Sequence, residues 1–102
     1  MRYDKLIRDR IPEIMDSKGK NYTVRQTNND LEKETYLRKK LQEEVDEFLE
    51  GPNIEELADI KEVLLALADS LGYLPEELEF VRMSKRNARG GFEDGFILEE
   101  EL

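Results

Sequence analysis

Between residues 31 and 50, the apolar positions Leu37, Leu41, Val45 and Phe48 recur every three or four residues. That period predicts a long helix with one buried face. Asn28, Asn29 and Asp30 offer its N-cap. Gly51, Pro52 and Asn53 break the chain. A helix over about 54–71, ending at Gly72, follows and is apolar on nearly every side between Leu57 and Leu71, as a central core helix is. Pro75 opens another, about 75–88, which Gly90-Gly91 terminates. Ahead of these, residues 9–18 suggest a short helix, with Asp9 as cap, Pro12 in its first turn and Gly19 at its end. Asn21–Thr27 is rich in β-formers and reads as a short strand or extended loop, which Gly95–Glu100 can pair with as a small two-stranded hairpin. The expectation is one all-α domain over residues 1–102, a four-helix bundle, with or without that hairpin beside it.

Certain acids break the apolar pattern. Glu44 lies seven residues after Leu37 and points almost where Leu37 points, so a carboxylate occupies a core register. Glu47 sits at the edge of the same face, whereas Glu43, Asp46 and Glu50 point outward. Glu56 and Asp59 are i, i+3 neighbours on a stripe that continues into Val63 and Ala66. The short Gly-Pro-Asn connection makes the two helices antiparallel neighbours, so Glu44 and Glu47 face Glu56 and Asp59. Four ionised carboxylates in one half-buried pocket repel each other and lose hydration. A divalent cation resolves the conflict. A solvated acidic face explains Glu43, Asp46 and Glu50 but not Glu44 or Asp59. Glu56 has a second explanation, because Asn53-x-x-Glu56 is a capping box.

Composition narrows the chemistry. The chain has 102 residues, 40% charged, with net charge -9. That balance argues against phosphate-backbone contacts to nucleic acid. Cysteine and histidine are both absent, which removes disulfides, Cys/His zinc sites and histidine-based nucleophilic machinery. Oxygen ligands favour Mg²⁺ or Mn²⁺, with Ca²⁺ as the alternative. The charged N-terminus does not read as a signal peptide and no apolar run is long enough for a membrane span, so a cytoplasmic location is the expectation.

Glu43-Glu44-Val45-Asp46-Glu47 followed by Glu56-Leu57-Ala58-Asp59 resembles the EExxE…ExxD pattern of the MazG-type all-α NTP pyrophosphatase superfamily. Tyr3–Ile14 (YDKLIRDRIPEI) and Lys85–Leu98 (KRNARGGFEDGFIL) resemble its small house-cleaning branch, which is predicted to act on noncanonical nucleotides. Eight residues separate Glu47 from Glu56, fewer than is usual in the superfamily. The resemblance implies hydrolysis of a nucleoside triphosphate to monophosphate and pyrophosphate. It implies Mg²⁺ held by Glu44, Glu47, Glu56 and Asp59, with Glu43 or Glu47 orienting or deprotonating the attacking water. A phosphoribosyl-ATP pyrophosphohydrolase is a related alternative. A non-catalytic acidic helical adaptor is one of a different class.

A metal neutralises only part of a triphosphate, so Lys or Arg should meet the rest. Lys85 falls on the stripe Leu78, Val81, Lys85, Ala88 and is expected to point inward; with Arg89 it is the better candidate on the fourth helix. Arg82 and Arg86 suit the helix dipole. Lys5, Arg8 and Arg10 either approach the phosphates or pair with the excess acid. Tyr3, Tyr36, Phe80 and Phe92 offer base-stacking surfaces, although core packing is the expected role for most. The apolar third helix needs more cover than one chain supplies, so a homodimer or homotetramer is expected.

Overall fold

Four helices form where the periodicity places them: α1 (Ile11–Ser17), α2 (Asp30–Glu50), α3 (Ile54–Ser70) and α4 (Pro75–Arg89). The computed structural model describes residues 2–102. The fold is an all-α bundle of four helices.

Caps set the helix ends. Asn29 begins α2, its side chain accepting from the Glu32 N–H at 2.8 Å. Asn53 begins α3 in the same way, accepting from the Glu56 N–H at 2.9 Å. Each bond satisfies one of the donors a helix start leaves unpaired. At the end of α3, Gly72 takes φ 89°. The Gly72 and Tyr73 N–H groups then donate to the carbonyls of Asp69 and Ala68, a Schellman closure that needs the left-handed residue. Before α1, Arg10 rather than Asp9 occupies the N-cap position, and no side chain caps that helix. Pro12 in the first turn compensates in part, since it brings no N–H to satisfy.

The α2–α3 hairpin is the structural centre. Its three-residue connection reverses the chain, and the two helices pack along one another. Leu37 is 3% exposed, and Val63 and Ala68 are also buried. Leu41, Val45 and Phe48, expected on the same face as Leu37, are half-buried.

Two expectations are corrected. The hairpin does not form: no strand occurs among the described residues, and both segments are irregular. Tyr22 and Arg25 are instead tied by side chains, Tyr22 to Asp16 at 2.8 Å and Arg25 to Glu32 at 2.9 Å. No backbone hydrogen bond joins the tail to that segment, and Phe92 and Phe96 stand 97% and 91% exposed. The second correction concerns α4. It meets α3 only slightly and buries none of its residues. Lys85 therefore faces solvent, along with Leu78, Val81 and Ala88. The apolar stripe exists, but within one chain nothing covers it. Core packing likewise fails for Tyr3, Phe80 and Phe92, all exposed; Tyr36 is half-buried. The radius of gyration is 17.8 Å, against about 13 Å for a compact domain of this size.

Candidate metal centre

The hairpin brings its acids together in two overlapping groups. Glu44, Glu56 and Asp59 each place a carboxylate oxygen within 4.8 Å of the others, and Glu43, Glu44 and Glu47 do the same. Glu44 belongs to both. The expected foursome is thus divided: Glu47 is exposed and joins from the α2 side, while Glu56 and Asp59 approach from α3.

Glu44 is the buried member, 6% exposed. Loss of hydration pushes its carboxyl above the usual carboxylate range, opposed by Lys40 and reinforced by Glu47 and Asp59. Its Oε2 is buried without a hydrogen-bond partner. Such an oxygen carries a desolvation cost that a cation would offset.

Glu56 resolves differently from its sequence signature. Asn53 caps the Glu56 N–H, but the Glu56 carboxylate does not accept the reciprocal bond from the Asn53 N–H. Its Oε2 is instead buried and unpartnered. The capping box is half-formed, and the carboxylate joins Glu44 and Asp59. The two unsatisfied buried oxygens belong to the same triad, and a donor set of this hard-oxygen kind fits Mg²⁺ or Mn²⁺.

Cations of the chain surround the acids. Lys40 bridges Glu43 at 3.4 Å and Glu44 at 3.3 Å. Arg8 Nη2 lies 2.6 Å from Asp59 Oδ1, and Lys5 Nζ lies 3.7 Å from Glu43 Oε1. Lys5 and Arg8 thus meet the acids, as one of their two expected roles required. Lys40 was not singled out from the sequence, yet its spacing four residues before Glu44 was a readable signal. Lys85 and Arg89 are not brought to the acids. Both are exposed on α4, and no α4 residue lines the cleft beside the carboxylates.

That cleft has a volume of about 260 Å³ and runs from Glu44 and Asp59 along the α2–α3 groove, past Val63 and Leu37. Lys33, Lys40 and Glu62 line it, and residues Leu6–Asp9 form one wall. It combines an acidic end, an apolar middle and nearby ammonium groups, the mixture that small-molecule sites present. No helix among the described residues is long and apolar enough to cross a membrane. Comparison with protein-family models, with curated proteins and with solved structures gives no match for this chain.

Proposed function

We propose that this protein is a Mg²⁺-dependent nucleoside triphosphate pyrophosphohydrolase, converting an NTP and water to NMP and pyrophosphate, with noncanonical nucleotides as its substrates. The observation that carries the reading is the pair of unsatisfied buried oxygens on Glu44 and Glu56, on facing helices and grouped with Asp59. A stable fold has no need of them, since they raise the energy of the metal-free chain.

Glu44, Glu56 and Asp59 would hold the cation, with Glu47 at the margin. When bound there, the metal would supply charge neutralisation on the phosphates and a more acidic bound water. The chain's own groups do the rest. Glu43 and Glu47 lie beside Glu44 and are the carboxylates available to orient a water and accept its proton. Lys40, Lys5 and Arg8 bring positive charge to the same place, where a departing pyrophosphate gains charge. The apolar middle of the cleft suits the nucleoside. The uncovered faces of α3 and α4 support action as a homodimer or homotetramer.

The test is product analysis over a panel of standard and damaged nucleotides with Mg²⁺. Equal amounts of NMP and pyrophosphate are the expected products. NDP with orthophosphate would replace the assignment with a different nucleotide hydrolase, and no turnover of any nucleotide would leave the acidic adaptor.

A further inference from the structure

The segment before α1 lies across the carboxylates, and its attachment is unusual. Residues 2–7 make no backbone–backbone hydrogen bond with any described residue. Side chains hold the segment instead. Leu6 and Ile7 are half-buried against the cleft. Asp4 accepts from the Tyr36 hydroxyl at 2.9 Å. The other two ties are Lys5 to Glu43 and Arg8 to Asp59, and both end on acids of the candidate metal centre.

A cation at that centre therefore competes with Arg8 for Asp59, and Lys5 sits on a carboxylate beside the same cluster. The Arg8 guanidinium already occupies an oxygen of Asp59, a member of the triad that contains both orphaned oxygens. Resting on the metal-centre reading above, we propose that residues 3–9 form a strap that a divalent cation releases and a metal-bound polyphosphate re-seats. Metal alone takes Asp59 from Arg8, and its charge beside Glu43 loosens Lys5, leaving two unpaired cations beside a cleft. A polyphosphate bound through the metal then gives those cations new anionic partners, and an Arg fork suits a phosphate as well as a carboxylate. Because each ligand removes an obstacle or supplies a partner for the other, metal and polyphosphate bind with positive coupling. The ligand that closes the cleft is the metal–polyphosphate pair, and neither component does so alone.

The consequence is a change of sign. Arg8→Ala removes a competitor of the metal but also a ligand of the phosphates. In calorimetric titrations it should bind Mg²⁺ alone about two- to fivefold more tightly than wild type, the range a partly exposed ion pair allows. It should bind tripolyphosphate, added in saturating Mg²⁺, more weakly than wild type. Lys5→Ala should shift both affinities in the same directions by less, given its longer contact, and serves if Arg8→Ala does not melt cooperatively. Strap release is read separately in the wild-type protein. Trypsin cleavage after Lys5 and Arg8 should accelerate with Mg²⁺ and slow again when tripolyphosphate joins it.

Unchanged or weaker Mg²⁺ binding in Arg8→Ala, with wild type binding Mg²⁺ normally, overturns the strap and leaves the metal centre standing. Tighter Mg²⁺ binding without any change in wild-type cleavage also overturns it, as simple charge repulsion would suffice. Absence of Mg²⁺ binding in wild type overturns the strap and the metal centre together.

Discussion

A Glu44→Gln substitution keeps the shape of the side chain and removes its charge. In the metal-free chain, two effects oppose each other. Glu44 Oε2 is buried without a partner, and a buried unsatisfied polar group costs about 1–3 kcal/mol, more when charged. Against this, Glu44 pairs with Lys40 at 3.3 Å, an i, i+4 contact that a Gln side chain keeps in part as a hydrogen bond accepted from the ammonium. Lys40 also keeps Glu43 at 3.4 Å when Glu44 is neutralised. Burial dominates, as the upward displacement of the Glu44 carboxyl indicates. The metal-free Gln variant should therefore be more stable at pH 7 by on the order of 1 kcal/mol, or about 4–8 °C in melting temperature.

The pH dependence follows from the same displacement. Glu44 takes up its proton more readily folded than unfolded. Its favourable contribution is then complete below the ordinary carboxylate value and is lost as pH rises through the folded value. The advantage of Gln should be absent below about pH 4 and grow towards neutrality. Mg²⁺ at about 100 times its dissociation constant should stabilise wild type by about 2.7 kcal/mol and the variant hardly at all. Circular-dichroism melts at pH 4 and pH 7, with and without Mg²⁺, read all of these effects. A metal-free variant melting below wild type at pH 7 would refute the reasoning, because Glu44 would then be a structural partner of Lys40.

The two roles suggested for the start of α3 separate by mutation. Asn53→Ala should cost about 1 kcal/mol through the lost cap, whereas Glu56→Gln should leave the melting temperature at or above wild type and weaken Mg²⁺ binding by about tenfold or more, ~1.4 kcal/mol. Loss of stability in Glu56→Gln would show that its carboxylate serves the cap after all. If the uncovered α4 stripe is a contact between copies, Val81→Asp should reduce the mass measured by light scattering to that of one chain while α-helical circular dichroism is kept; an unchanged mass would place the contact elsewhere.

Periodicity located the helices because their caps and breakers are local: Asn29, Asn53, Gly72 and Gly90 act within a few residues. It also exposed Glu44, since a carboxylate at the register of Leu37 conflicts with the pattern around it. It could not divide the acids into two groups, because that depends on how α3 lies on α2. Glu56 shows the same limit: its spacing from Asn53 fits a capping box, and only the rotamer reveals that the carboxylate turns away. The failures at α4 and the hairpin have a common cause. An apolar stripe states which face seeks cover, and β-formers state which segment tolerates extension; neither names a partner. Lys40 was legible as Lys-x-x-x-Glu, but an i, i+4 pair of this kind is usually a surface feature.

The central claim is that the carboxylates between α2 and α3 hold a cation used to cleave a nucleoside triphosphate. Pyrophosphate release by wild type and Asp59→Asn, measured side by side across a Mg²⁺ titration with the best nucleotide of the panel, tests it most directly. The account predicts Mg²⁺-dependent release by wild type and its loss in the variant, with the helical fold retained. Release that ignores Mg²⁺, or that survives unchanged in Asp59→Asn, would contradict it.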